Sequence, residues 1–237
     1  MILLKSIGRP IARLRDHVAA GLVRCGLSAN LLTATGLVLS LVAGLLFALD
    51  HFRWAAAALL VACVLDLLDG AVARAGTSSS RFGAFFDSSL DRYSDSAVFV
   101  GLLVHYLLNE QVLPVCLAAS ALVGSLLVSY TRARAECFLE SCNVGLVTRG
   151  ERLGAILLAA VFGNLLMALW LLATMTHWTV LVRVHYTWRQ LTDRPVPSRD
   201  SFKGQLYRLF FWDWDRGSLP YDVAMVLWVL AIVLVRL

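Results

Sequence analysis

A chain of 237 residues with 59% apolar and only 16% charged residues is too hydrophobic for a water-soluble domain, which carries about a quarter charged residues. Its blocks of uninterrupted apolar sequence exclude a buried soluble core and point to a membrane. The five cysteines, Cys25, Cys63, Cys116, Cys137 and Cys142, form no CxxC pair and no metal-like spacing with histidine, so they read as small apolar packing residues.

The first segment, residues 1–25, carries Lys5, Arg9, Arg13, Arg15 and Arg24 interleaved with apolar residues. It has no long apolar core before Gly26, so it reads as an amphipathic helix on an anionic membrane face, not as a cleavable signal. Helices are then predicted over 31–49, 53–75, 82–108, 112–138, 151–163 and 165–191. Residues 31–49, 112–129 and 165–182 contain no Asp, Glu, Lys or Arg, and each run approaches the roughly 20 residues that span hydrocarbon. The fifth helix is short, and Gly163-Asn164 reads as a tight turn after it. A last apolar run, 223–235, is short for a span and is a candidate seventh membrane helix. The expected architecture is an all-α integral membrane protein: a six-helix transmembrane bundle with an N-terminal amphipathic interfacial helix and a C-terminal extension. Residues 1–191 form the membrane domain and 192–237 the extension. Its aromatic stretch "FFWDWDRGSLPYD" suits a membrane interface, and its Asp213 and Asp215 are a candidate second acidic pair.

Basic residues set the orientation. With the N-terminus in the cytoplasm, the inner segments hold the N-terminal arginines, then Arg74 and Arg81, then Arg132, Arg134, Arg149 and Arg152, then Arg189 and later basic residues. The outer turns hold only Arg53. This bias expects a multi-pass protein of the cell membrane whose acidic cluster faces the cytoplasm.

That cluster is "VLDLLDGAVARAGTSSSRFGAFFDSSLD", residues 64–91. Asp66 and Asp69 are three apart near the inner end of the second helix, and Asp87 and Asp91 are four apart near the start of the third. Two antiparallel helices joined by a small polar turn can bring all four carboxylates together, where they repel unless cations lie between them. Oxygen-only ligands favour Mg2+, Mn2+ or Ca2+ over zinc. A paired metal site suits phosphoryl chemistry, in which attacking and leaving oxygens both need charge stabilisation. Gly70 and Gly83 allow close approach, and Arg74 can fork onto a phosphate. Two other readings are a salt-bridged helix interface and a cation-coupled membrane transporter. The transporter expects mid-membrane charges and paired broken helices, and no internal repeat is present.

The stretch fits D-x2-D-G-x2-A-R-x8-G-x3-D-x3-D through Asp66, Asp69, Gly70, Ala73, Arg74, Gly83, Asp87 and Asp91, and so resembles the CDP-alcohol phosphotransferase family. The resemblance implies six transmembrane helices, a homodimer, and transfer of a phosphatidyl group from a CDP-lipid such as CDP-diacylglycerol to an alcohol, with release of CMP. It implies that Asp66, Asp69, Asp87 and Asp91 bind two divalent ions, Mg2+ with Mn2+ as an alternative, and that Asp91 is also the general base. Gly70, Arg74 and Ser80 would contact the CDP-lipid. Ala29, Asn30, Leu31 and Leu32 stand where the family's "PN-x-(I/L)-T" segment lines the nucleotide pocket, with Ala29 in place of proline.

A second stretch, "SYTRARAECFLESCNVGLVTRGERLG", resembles the pattern of phosphatidylinositol-phosphate synthases and their archaeal ether-lipid relatives. Arg132, Arg134, Arg152 and, on the sixth helix, Arg183 would then grip the phosphate of a phosphorylated polar alcohol, inositol 1-phosphate before glycerol 3-phosphate. The alternative acceptor would make the chain a phosphatidylglycerophosphate synthase. Membrane lipids complete the expected partners, and no nucleic acid is expected.

Overall fold

Apolar runs of 20 to 27 residues fold as helices because, in hydrocarbon, only a helix satisfies its own backbone hydrogen bonds within one segment. The computed structural model describes residues 2–76, 80–194, 201, 204, 207, 211 and 218–235, with side chains from residue 12 onward. Among these residues it is all-helical, with α1 (Ile2–Arg24), α2 (Ala29–Ala48), α3 (Phe52–Ala75), α4 (Arg81–Leu108), α5 (Val112–Ala135), α6 (Arg149–Phe162), α7 (Leu165–Leu191) and α8 (Leu219–Leu234). Each expected helix is present to within a few residues. Helix α5 ends at Ala135 rather than 138, because the Cys137 and Phe138 N–H groups turn back to Arg134 and Ala135 in a tighter winding. Asp213 and Asp215 lie outside the described residues, as do Thr77 to Ser79 of the turn before α4.

Among the described residues four helices, α2, α3, α5 and α7, are long and apolar enough to cross a membrane. Large apolar side chains such as Leu45, Leu181 and Leu227 stand about 60% exposed along helices, as lipid-facing residues do. The chain is a membrane protein. Helix α4 is long enough as well, but its first half carries the carboxylates.

The chain folds as two units, 1–115 and 116–237. In the first, α2 packs on both α3 and α4, and α1 packs on α3. Ala19 of α1, Leu32 of α2, and Ala71 and Val72 of α3 are buried together, with Leu22 and Val23 beside them. The crossing of α2 and α4 is backbone to backbone: a methyl on Gly44 would overlap the Ala97 carbonyl, and one on Gly101 would overlap Gly44 itself.

In the second unit α6 packs on α7 and α8. A methyl on Gly124 of α5 would overlap the Thr176 side chain of α7, and the His177 ring meets the Ser120 hydroxyl at 3.2 Å. Gly163, at φ 77°, closes α6 in the left-handed conformation that glycine tolerates. The next residue, Asn164, donates its side-chain amide to the Ile232 carbonyl at 2.8 Å and also to the Val235 carbonyl. At the other end the Tyr221 hydroxyl donates to Glu151 Oε1 at 2.6 Å. Helices α6 and α8 therefore run parallel, start beside start and end beside end. The apolar run 223–235 is thus part of a helix packed into this unit.

Candidate active site

The acidic cluster assembles where the end of α3 meets the start of α4. Asp66 and Asp69 share a face of α3 because a spacing of three is nearly one helical turn, and Asp87 reaches them from the first turns of α4. Each of the three offers a carboxylate oxygen, and these oxygens lie within 4.8 Å of one another. Oxygens at that spacing can ligate a single cation at the 2.0–2.6 Å typical of Mg2+ or Ca2+, and a set of hard oxygen donors fits such an ion. Asp91 stands one turn further along α4, outside this trio. Its Oδ2 lies 3.9 Å from the Arg92 guanidinium.

Beside the acids lies a cavity of about 230 Å3 lined by Ala29, Asn30, Thr33, Asp69, Gly70, Ala73, Arg74, Ser80, Gly83, Ala84 and Asp87. Three helix termini build it. Ser28 caps α2 by accepting from the Leu31 N–H at 3.3 Å, which sets Ala29, Asn30 and Thr33 along one face. Ser80 caps α4 by accepting from the Gly83 N–H at 2.9 Å. Gly83 keeps the floor low, since a methyl there would meet Ser80 Oγ at 3.2 Å and Asn30 Oδ1 at 3.4 Å. Gly70 faces Arg74, whose Nη1 would lie 3.5 Å from an added methyl.

Five of the seven residues expected at the CDP-lipid line this cavity: Ala29, Asn30, Gly70, Arg74 and Ser80. Leu31 and Leu32 do not. Leu32 is buried against Ala19, Ala71 and Val72, and Leu31 is half exposed. A helix presents residues i, i+1 and i+4 to one side, so a five-residue segment cannot turn every member to the same pocket. Thr33 is a polar lining residue to which the motif reading gave no role. Its hydroxyl lies 2.8 Å from Asp69 Oδ2 and 3.0 Å from the Ala29 carbonyl, so one proton is shared between two acceptors. The signal for it was the threonine that closes the same segment.

The four arginines of the second unit occupy two kinds of place. Arg132 and Arg134 are exposed at the end of α5. Arg132 donates to Glu136 at 2.9 Å and to Asn143 Oδ1 at 3.1 Å, and Arg134 lies over the Phe138 ring at 4.9 Å. Arg183 is buried, donating to the Val144 carbonyl at 3.1 Å and to the Val128 carbonyl. Arg132 and Arg183 thus meet at neighbouring residues, Asn143 and Val144. Arg152 is 1% exposed in the first turn of α6, directly after Glu151, whose carboxylate accepts from the Thr148 N–H at 2.6 Å and from the Thr148 hydroxyl. This carboxylate anchors the capping box that starts α6.

The family model described as CDP-alcohol phosphatidyltransferase matches residues 27–188, well over half of the chain. This chain belongs to the CDP-alcohol phosphatidyltransferase family. It is an enzyme of that class. It is 32% identical over 190 residues to the archaetidylinositol phosphate synthase of Pyrococcus horikoshii, covering 80% of this chain and 98% of that one. It is 34% identical over 183 residues to the phosphatidylinositol phosphate synthase of Mycobacteroides abscessus, covering 73% and 83%. The crystal structure of Mycobacterium tuberculosis phosphatidylinositol phosphate synthase with CDP-DAG bound has a TM-score of 0.69 and 34% identity, covering 74% of this chain and 94% of that one. A second structure of the same enzyme, in complex with manganese and citrate, gives a TM-score of 0.68.

Proposed function

We propose that this chain transfers a phosphatidyl group from CDP-diacylglycerol, or a similar CDP-lipid, to inositol 1-phosphate and releases CMP. The observation that carries the reading is the cavity itself, which gathers Asn30, Gly70, Arg74 and Ser80 beside two of the three clustered carboxylates, Asp69 and Asp87. The relatives that use an inositol phosphate support the choice of acceptor.

In this reading Arg74 and the Ser80 end of α4 hold the diphosphate, and Asn30 faces the nucleotide. Asp66, Asp69, Asp87 and Asp91 hold two divalent ions, Mg2+ by preference and Mn2+ as a substitute. Once bound, these ions neutralise the diphosphate and the departing CMP. Asp91, outside the tight trio, takes the proton from the acceptor hydroxyl. That oxygen attacks the lipid-side phosphorus as the bond to the CMP phosphate breaks. Arg132, Arg134, Arg152 and Arg183 bind the phosphate that the acceptor already carries.

Helices α2 to α7 serve as the six membrane helices and α1 as the interfacial one, with residues 192–237 as an added segment. The excess of arginine at one set of helix ends supports an active site facing the cytoplasm at the cell membrane. The family resemblance supports a homodimer.

A radiolabelled assay with CDP-diacylglycerol and a panel of acceptors tests the function. Inositol 1-phosphate is expected to be used far better than free inositol or serine. Equal use of free inositol would refute the phosphate pocket, and a preference for glycerol 3-phosphate would reassign the chain to phosphatidylglycerophosphate synthesis. Arg134→Ala is the cleanest variant for the pocket, because Arg134 is exposed whereas Arg183 is tied to two backbone carbonyls. It should raise the acceptor KM about tenfold and leave that for the CDP-lipid unchanged.

A further inference from the structure

Helix α8 lies outside the stretch 27–188 that the family model matches, yet one of its side chains reaches the start of α6. We propose that Tyr221 is a positioning residue for acceptor binding, acting through Glu151 on Arg152. The proposal rests on the reading of Arg152 as an acceptor-phosphate ligand.

The linkage is continuous. Glu151 uses both carboxylate oxygens: Oε2 takes the Thr148 N–H and hydroxyl, and Oε1 takes the Tyr221 hydroxyl at 2.6 Å. A carboxylate held from both sides has one orientation, and so does the first turn that it caps. Arg152 is the next residue in that turn, its own N–H bonded to the Thr148 carbonyl at 3.1 Å. Tyr221 is itself buried, and the far end of α8 is fastened by Asn164, so its hydroxyl is delivered by a helix fixed at both ends. Loss of the hydroxyl frees one carboxylate oxygen and loosens the turn that aims Arg152, while the ring still fills its place.

The acceptor site of this chain thus draws support from an element added to the matched fold. The α2–α4 cavity makes no use of it, since every residue lining that cavity comes from residues 29–87. The effect therefore falls on one substrate.

Steady-state kinetics of the full chain with CDP-diacylglycerol and inositol 1-phosphate test this, using Tyr221→Phe, Arg152→Ala and the double variant. Tyr221→Phe should raise the acceptor KM about tenfold, or about 1.4 kcal/mol, with the KM for CDP-diacylglycerol unchanged. In the Arg152→Ala background it should add nothing. If the two effects simply multiply, or if Tyr221→Phe shifts both KM values or only kcat, the positioning role is overturned. An Arg152→Ala enzyme with normal acceptor KM would instead refute the phosphate role of Arg152, a different failure seen without touching Tyr221. Should Arg152→Ala fail to assemble, Arg152→Lys replaces it, and Tyr221→Phe alone still decides through the split between the two KM values.

Discussion

The Thr33 hydroxyl sits 2.8 Å from Asp69 Oδ2 and ties the first turn of α2 to the acidic face of α3. A donor to a metal-binding carboxylate orients it, and loss of such a partner typically costs about 10- to 100-fold in metal affinity or activity. Thr33→Val should therefore raise the Mg2+ concentration for half-maximal activity about tenfold, and Thr33→Ser should restore it. Chelation should abolish turnover in the parent enzyme, and Mg2+ or Mn2+ should return it. Equal behaviour of the Val and Ser variants would show that the hydroxyl has no such role.

The proposed roles of Asp91 and Asp66 can be told apart by measurement. Asp91→Asn removes the proposed base but leaves the trio of Asp66, Asp69 and Asp87, so turnover should vanish while CDP-lipid binding persists. Asp66→Asn removes one of the trio and should weaken binding as well. Calorimetric or filter binding of the CDP-lipid beside the rate measurement distinguishes them. An Asp91→Asn enzyme with about a tenth of the parent rate would disprove the base assignment.

The contact of Gly44 and Gly101 sets the distance between α2 and α4, and these helices carry Asn30 and Asp87. A methyl at Gly101 must push them apart, and overpacking of this kind costs about 1–3 kcal/mol. Gly101→Ala should lower the thermal midpoint in detergent, whereas Gly21→Ala, with nothing within 4 Å, should not. Equal midpoints for the two would contradict the close crossing.

Glu136 gives a pH dependence. Burial acts to raise its carboxyl, but the Arg132 hydrogen bond and charge, the Cys142 N–H and Arg183 outweigh it and hold the group below the ordinary glutamate range. A carboxyl depressed in the folded state takes up a proton more readily when unfolded. Its contribution is complete above the ordinary glutamate range and fades as the pH falls through the folded value. The midpoint gap between the parent and Glu136→Gln should thus narrow from about pH 7 to about pH 3. A gap that stays constant would show that this cluster does not act through charge.

Helix positions and the acidic site were legible because both are local. An apolar run of 20 residues such as Ala29–Ala48 declares its helix, and periodicity alone placed Asp66 with Asp69 on one helix face and Asp87 with Asp91 on another. What one helix presents to another was not legible. Nothing in the order of residues 29–33 shows that Leu32 turns to Ala19 while Thr33 turns to Asp69. A count of arginines likewise does not show that Arg183 is taken up by two backbone carbonyls, because those carbonyls belong to residues 39 and 55 positions away. The place of α8 depended on Asn164 and Glu151, single polar residues on another helix with no pattern that announces them.

The parallel pairing of α6 and α8 also bears on the order of assembly. Its two fastenings join residues 68 and 70 positions apart, so neither can form while the chain is still being made as far as α7. Until then Glu151 has only its Thr148 contacts, and Asn164, just past the end of α6, lacks its α8 carbonyls. The helix pair closes only after residue 232 has left the ribosome, which makes its completion a late event in the biogenesis of this enzyme.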